Sequence, residues 1–343
     1  MTVASAFEFE LPQELNATHP PERRGVRRDH VRMMTLNKET GNVKHKRFNE
    51  LPDCLLPGDL VILNNSRTLP AILRASLKRN EMILSAMIEV RLARRIDDAR
   101  WEALIVAGSS KLGDILEFSP ELNAVVTNEN SDTPLKTILF SQKGFELLNI
   151  IYSLGEPVRY EYIDEPWDLD YYQTVFASQP GSVKMPSAGR AFSWELLFKL
   201  QQKGIQLDYI QLHTGLSYLL DDKYVHSPED NYEEYSVSAM TMDRIQQTKA
   251  TGGRVIAVGT TVVRALESAA KTGVLSGWTN LYIHREFSLK LVDGIITGFH
   301  EPKASHLDML TAFVKEDTLF SAYHQALEQK YFWHEFGDMN LIL

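Results

Sequence analysis

Cysteine occurs once in these 343 residues, at Cys54, so the chain can form no internal disulfide and no cysteine-cluster metal site. Long apolar runs are also missing. Stretches such as 103–107 fall far short of the roughly 20 residues a membrane helix needs. The opening Phe7-Glu8-Phe9-Glu10 alternates, where a secretory leader would run basic and then apolar. No His-x-x-x-His pair offers metal-ligand spacing, so zinc is not expected. Neither G-x-G-x-x-G nor G-x-x-x-x-G-K-[ST] occurs, which disfavours dinucleotide and P-loop readings. Internal repeats and low-complexity segments are absent. What remains is the composition of a globular protein without a membrane span, 44% hydrophobic and 24% charged, with a cytoplasmic location the expectation.

The formal charge of −9 argues against indiscriminate nucleic-acid binding, but the sum conceals a local field. Between positions 21 and 47 stand Arg23, Arg24, Arg27, Arg28, Arg32, Lys38, Lys44, Lys46 and Arg47. Only Glu22, Asp29 and Glu39 oppose them. Such a patch suits phosphate contacts, or it is a solvated surface arm; charge alone leaves both open.

Hydrophobic patterning predicts an α/β protein. After the Pro57-Gly58-Asp59 turn, residues 60–62 read as a buried strand. From about 71 to 140 the pattern is β, with short runs at 87–92, 101–106, 115–118, 124–127 and 135–140. Strands at this spacing suggest a small barrel or sandwich. A helix should follow, with Phe145, Leu148, Ile151 and Tyr152 on one face and Gly155 at its end. Farther on, helices are expected at 193–203, 242–250, 262–271, 305–314 and 318–330, with strands at 206–212 and 255–258. The layout is a mixed α/β body over 1–70 and 151–343, interrupted by a β domain over 71–150.

Chemistry concentrates at strand ends. In Gly253-Arg-Val-Ile-Ala-Val-Gly-Thr-Thr-Val-Val-Arg264 a strand feeds directly into a helix. Its first-turn N–H groups lack intrahelical partners and carry partial positive charge, so Gly259, Thr260 and Thr261 form a candidate anion-binding turn. The alternative is that one threonine merely caps the helix. His213 and His300 each follow a predicted strand, where α/β proteins bind ligands, and either imidazole could act as a base near neutral pH. A structural role is open for both. Glu233 and Glu234 are further acid–base candidates, or solvated loop carboxylates. Ser187 is not in a Gly-x-Ser-x-Gly elbow.

Taken together, these segments resemble the S-adenosylmethionine:tRNA ribosyltransferase-isomerase family of queuosine biosynthesis. The matching pieces run from Phe7-Glu-Phe-Glu-Leu-Pro12 to Gly337-Asp338. They include Arg28-Asp29 with Arg32, Pro57-Gly-Asp-Leu-Val-Ile-Leu-Asn64, Ser66-Arg67 and Pro70-Ala71. Tyr172-Gln-Thr-Val-Phe-Ala177, Gly252-Gly-Arg-Val-Ile-Ala-Val-Gly-Thr-Thr261 and Arg264-Ala-Leu-Glu-Ser-Ala-Ala270 continue the series. Phe299-His-Glu-Pro-Lys303 and Leu310-Thr-Ala-Phe313 complete it. The resemblance implies a β-barrel inserted in an α/β body, with no metal or redox cofactor. It implies S-adenosylmethionine as cosubstrate and a 7-aminomethyl-7-deazaguanine base in the tRNA anticodon loop as acceptor, handled by a monomer to give epoxyqueuosine. It further implies cosubstrate binding by Gly259, Thr260, Thr261 and Arg264. Base or orienting roles fall to His213, Glu233 and His300, and tRNA contacts to Arg28, Arg32, Arg67 and Lys303.

The chain departs from the family pattern in its loops. Ala-Pro-Thr-Ala-Gly-Leu-His-Phe appears as Met185-Pro-Ser-Ala-Gly-Arg-Ala-Phe192, which puts Ala191 at the histidine position. Pro-Leu-Pro-Pro-Tyr-Ile appears as Val158-Arg-Tyr-Glu-Tyr-Ile163. Thr-Phe-Arg-Pro becomes Tyr218-Leu-Leu-Asp221, and Met-His-x-Glu becomes Asp230-Asn-Tyr-Glu233. Asn-Phe-His-x-Pro-x-Ser-Thr-Leu becomes Gly298-Phe-His-Glu-Pro-Lys-Ala-Ser-His306. Arg159, Glu161, Arg190 and His306 are polar additions in the same loops. Three functional expectations stand side by side: the family reaction, a divergent paralogue with another acceptor, and a non-catalytic tRNA- or nucleoside-binding protein.

Overall fold

A computed structural model describes residues 9–106, 110–129, 133–160, 162–163, 165–216, 231–302 and 304–343. Strands β1 (Arg32–Leu36) and β2 (Val43–Arg47) pair antiparallel, and β3 (Leu60–Asn64) follows the Pro57-Gly58-Asp59 turn. Next come β4 (Ser66–Thr68), β5 (Ile72–Arg79), β6 (Met82–Arg95), β7 (Arg100–Val106), β8 (Ile115–Ser119), β9 (Leu122–Glu129) and β10 (Leu135–Phe140). After α1 (Gly144–Leu154) the chain runs through β11 (Gln179–Ser182), α2 (Trp194–Gln202), β12 (Gln206–Leu212), β13 (Glu233–Ser236) and α3 (Ala239–Ala250). It ends with β14 (Val255–Val258), α4 (Thr260–Thr272), β15 (Ser276–Thr279), β16 (Gly294–Gly298), α5 (Ser305–Leu310), α6 (Glu316–Glu328) and β17 (Met339–Ile342).

Nine strands form one mixed sheet in the order β15-β13-β12-β3-β14-β16-β17-β1-β2. Its centre, β12-β3-β14-β16, is parallel. Every residue of β3 and β14 is buried, as expected for strands covered on both faces. Alternation then divides the side chains between two cores. Leu60, Ile62, Val255 and Ala257 join α3, α4, α5 and α6 on one side. Val61, Leu63, Ile256 and Val258 pack with Phe192 and α2 on the other. Each buried aliphatic side chain contributes about 1.5–3 kcal/mol by leaving water.

Asp59 pins the base of this centre. Its carboxylate accepts hydrogen bonds from the Leu56 and Arg254 backbone N–H groups, at 2.8 and 3.0 Å, and from the Arg254 side chain at 2.6 Å. The starts of β3 and β14 are thereby tied together. Burial disfavours the Asp59 charge, but the Arg254 and backbone bonds outweigh it and hold the carboxyl below its ordinary range.

The six strands β10-β7-β6-β5-β8-β9 close into an antiparallel barrel, filled by residues such as Leu73, Val90, Trp101, Leu116 and Ile138. Its first hairpin turns at Asn80 and Glu81, with φ of 47° and 64°, a left-handed pair that matches strand twist without the usual glycine. Leu147, Leu148 and Ile151 of α1 close the barrel core. The chain leaves the barrel beside its point of entry, where Ile72 and Glu156 exchange two backbone hydrogen bonds of 2.9 and 2.8 Å. Only glycine fits at Gly155, because a Cβ there would lie 1.9 Å from the Pro70 carbonyl oxygen.

Several element boundaries differ from the sequence expectation. Phe145 does not join the buried face of α1; it is 81% exposed, and Leu147 packs instead. Helix α3 begins at Ala239 because the Ser238 hydroxyl accepts from the Thr241 N–H, 3.0 Å away. Helix α5 stops at Leu310 rather than running to 314. Among the described residues no helix is long and apolar enough to cross a membrane, and no three His, Cys, Asp or Glu side chains stand where they could hold a metal ion.

Candidate active site

The parallel strands β12, β3, β14 and β16 bring four sequence-distant segments to one edge of the sheet: Asn64, the His213 loop, Gly259 and Phe299-His300. In open α/β sheets this carboxyl edge is where ligands bind. Asn64 links three of these elements. Its amide N–H donates to the Leu212 carbonyl (2.8 Å) and to the Thr261 hydroxyl (3.3 Å), and its carbonyl oxygen accepts from the Leu212 and Ser66 N–H groups, both at 3.1 Å. Nothing in the composition of the 57–64 turn and strand marked this asparagine as a junction.

Gly259 caps α4 with φ of 89°, a left-handed conformation that favours glycine. A Cβ there would also approach the Ala188 Cβ to 3.1 Å, so the turn and the 185–192 segment pass in close contact. No side chain caps the helix. Thr260 is its first residue, nearly buried, and the Thr261 hydroxyl is oriented by Asn64.

His213 is enclosed. Nδ1 lies 2.7 Å from the Ser66 hydroxyl, which in turn meets the Ser182 hydroxyl at 2.6 Å, and Nε2 lies 2.5 Å from the Gln211 amide nitrogen. Gly181 stacks beneath the imidazole, where a Cβ would come within 2.5 Å of the ring. Burial, with Arg95 adding repulsion, lowers the His213 pKa to about 4, so the ring is neutral at pH 7.

Glu233 is 5% exposed. It accepts a hydrogen bond from the Arg264 guanidinium and another from the Gly215 N–H at 3.2 Å. Arg264 is heavily engaged, since it also donates to the Leu281, Asn231 and Thr279 carbonyls at 3.1–3.3 Å. One turn later the buried Glu267 accepts from the Lys290, Leu291 and Val292 N–H groups at 2.9–3.1 Å. The Arg264-Ala-Leu-Glu267 motif therefore anchors two loops to α4.

His300 meets the Thr297 hydroxyl through Nε2 at 2.9 Å and stacks on His306, with ring centroids 4.6 Å apart and planes 13° from parallel. His306 is exposed to solvent. Burial, with His306 and His334 beside it, drives His300 well below its ordinary value.

The arginines of the 21–47 segment are largely occupied by the protein itself. Arg24 donates to the Phe336 carbonyl at 2.6 Å and lies over the Phe332 ring. Arg28 pairs with Glu22 (3.1 Å) and reaches the Gln173 carbonyl at 3.5 Å. Arg32 covers the Tyr331 ring at 3.8 Å and donates to the Gln329 carbonyl at 2.7 Å. Arg67 is exposed, 5.1 Å from the Tyr152 ring centroid. Lys303, Glu161 and residues 217–230 lie outside the described residues.

Beyond Arg190, already visible as a polar addition to the 185–192 loop, the remaining residues of the site gave little signal in the sequence. Arg190, 2% exposed, donates to Glu22 (2.8 Å) and to the Tyr171 carbonyl (2.8 Å), bracing the 3-10 turn Pro21–Arg24. The Lys184 ammonium lies 4.3 Å from the Tyr160 ring centroid. Tyr162 stacks on His334 at 4.6 Å, and His334 lies 3.5 Å from Glu301. Glu335, 9% exposed, completes this wall. Periodicity could not reveal them, because their meaning depends on contacts across more than a hundred residues.

Comparison with known proteins agrees with this geometry. The family described as queuosine biosynthesis protein matches residues 4–342. The S-adenosylmethionine:tRNA ribosyltransferase-isomerase of Thermosynechococcus vestitus is 37% identical over 346 residues, covering 98% of this chain and 95% of that protein. The Aquifex aeolicus protein of the same name is 36% identical, with 98% of each chain covered. The crystal structure of S-adenosylmethionine tRNA ribosyltransferase from Thermotoga maritima is 31% identical, with a TM-score of 0.56 over 98% of this chain and 99% of that one. With its barrel, its mixed sheet and these relatives in agreement, the chain belongs to the queuosine biosynthesis protein family, that of the S-adenosylmethionine:tRNA ribosyltransferase-isomerases.

Proposed function

We propose that this protein transfers and isomerises the ribosyl group of S-adenosylmethionine onto an aminomethyl-deazaguanine base in a tRNA anticodon loop. The observation that carries the reading is the placement of His213, Thr261 and His300 after the carboxyl ends of β12, β14 and β16 in one parallel sheet centre, in a chain that matches the family from residue 4 to 342. In this reading the helix-start N–H groups and the Thr261 hydroxyl hold the cosubstrate. His213 has both ring nitrogens engaged and Glu233 is bound by Arg264, which suits them to positioning. His300, on Thr297 and stacked on the exposed His306, is the candidate for proton removal beside the sulfonium. The acceptor amine then attacks, and adenine and methionine depart. Arg264 supports the site from behind rather than touching cosubstrate.

We also take 71–150 as an inserted domain on a body of 1–70 and 151–343, a division supported by the pairing of Ile72 with Glu156. We read the protein as a cytoplasmic monomer without metal or redox cofactor. Arg67 is the contact we favour for tRNA phosphate, as an exposed cation near the barrel entry.

Adenine release from S-adenosylmethionine, followed with and without tRNA carrying the precursor base, tests the activity. Release only with that tRNA is expected. Tight tRNA binding without adenine would leave a binding protein instead. A divergent acceptor is the second reading, favoured by Ala191 and Gly298 standing where the family pattern has histidine and asparagine. Its signature is adenine release that does not require the precursor tRNA.

A further inference from the structure

The two shortened positions, Ala191 and Gly298, line one crevice together with His334 and Glu335. Room remains there for a single water-sized group. The Glu335 side chain is 9% exposed, and its Oε2 has no hydrogen-bond partner. A buried carboxylate oxygen left without a donor is costly, and it marks a place where a donor belongs. Both arginines of the crevice are already committed, Arg190 to Glu22 and the Tyr171 carbonyl and Arg28 to Glu22 and the Gln173 carbonyl.

A primary ammonium has the size of a water molecule and presents three donors. We propose that Glu335 receives the primary ammonium of the acceptor base and takes one of its protons. The step is balanced: the ammonium N–H bond breaks, its electron pair stays on nitrogen as the nucleophile's lone pair, and the carboxylate becomes a carboxylic acid. The assignment rests on the ribosyl-transfer reading only for the step after proton transfer, because ammonium recognition stands without turnover. Geometry is supported by electrostatics. Burial pushes the Glu335 carboxyl up against the opposing pull of Lys184 and Arg190, which makes it a better proton acceptor than an ordinary carboxylate. Besides those two cations, Tyr162, Tyr172, His334 and Arg28 face or adjoin this carboxyl.

The cosubstrate carries a primary ammonium too, on its methionine part, so the test separates the two sources. Binding is measured for tRNA with the aminomethyl base, for tRNA with guanine at that position, and for S-adenosylmethionine alone. Wild type should prefer the aminomethyl tRNA, and Glu335→Gln should lose about 10- to 100-fold of that preference while keeping its affinity for S-adenosylmethionine. In turnover, kcat/KM should fall about 10²- to 10⁴-fold in Glu335→Gln, with loss of the acid limb of the pH profile. Glu335→Asp should restore part of both. Should the single variant fold poorly because Lys184 is left without its counter-charge, Glu335→Gln with Lys184→Met removes both charges and is read by the same tRNA preference. A wild type without the preference, or a variant that keeps it, overturns the proposal. Loss of S-adenosylmethionine binding in place of the tRNA preference overturns the acceptor assignment. A preserved preference with no adenine release from wild type would sink the ribosyl-transfer reading and leave the ammonium site standing.

Discussion

The Arg264 guanidinium on α4 and the Glu233 carboxylate on β13 form an ion pair in which Glu233 is buried and Arg264 only 13% exposed. The pair also closes the β13–β15 edge, because Arg264 donates to the Thr279 and Leu281 carbonyls. Removing one partner leaves a desolvated charge, typically about 3–5 kcal/mol of stability. Arg264→Met should therefore lower the denaturant midpoint strongly. Adding Glu233→Gln should recover part of the loss. If the two losses simply add, the pair is not the unit described.

Acid should destabilise this protein before its ordinary carboxylates titrate. His213 and His334 have pKa values lowered to about 4 by burial, and burial also holds His300 well below the ordinary 6.5. Between 6.5 and about 4 the unfolded chain binds protons that the folded chain refuses, so stability is full above 6.5 and falls as pH drops toward 4. Glu335 and Asp338, both raised by burial, act in the opposite sense and lose stability as pH rises through their folded values. Asp114, held down by Arg79, adds further loss only in more acidic solution, below its ordinary value. Unfolding free energies measured from about pH 7.5 to 5, roughly the window of imidazole titration, should decline. His334→Leu should make that decline shallower, and an unchanged slope would remove His334 from the account.

Arginines that look alike in the sequence should differ in their response to salt. Arg67→Ala should weaken tRNA binding and reduce the slope of log affinity against log salt by about one phosphate contact. Arg24→Ala should instead lower thermal stability, since Arg24 holds the Phe336 carbonyl and the Phe332 ring. Equal salt slopes for wild type and Arg67→Ala would exclude Arg67 from the interface.

What the sequence reveals follows from the range of the interaction. The buried strand at 255–258, the turn after it and the alternating runs of the barrel are local patterns, and they appear in the structure at those positions. Phe145 misleads because an apolar residue in the first helical turn fits the periodicity even when it points to solvent. The Asn80-Glu81 hairpin lacks the glycine that usually signals such a turn. The basic arm reads as a free field in one dimension, whereas Arg24 finds its carbonyl 312 residues away and Arg190 its carboxylate 168 away. Glu335 is the extreme case. Its significance lies in what positions 191 and 298 lack, and only folding puts the three side by side.

The Thr261 hydroxyl offers the sharpest test of the turn itself. It caps nothing in α4, yet Asn64 spends an amide N–H on it at 3.3 Å while already bonded to the Leu212 carbonyl at 2.8 Å. Thr261→Val keeps the branched shape and removes the hydroxyl. Because Asn64 keeps its bond to Leu212, folding should lose no more than about 1 kcal/mol. S-adenosylmethionine affinity, measured by calorimetry, should fall about tenfold, the loss of one well-placed hydrogen bond. Thr261→Ser, which retains the hydroxyl, should bind close to wild type. Equal affinity in all three proteins would mean that the hydroxyl serves Asn64 alone, and that the cosubstrate lies elsewhere along the strand ends.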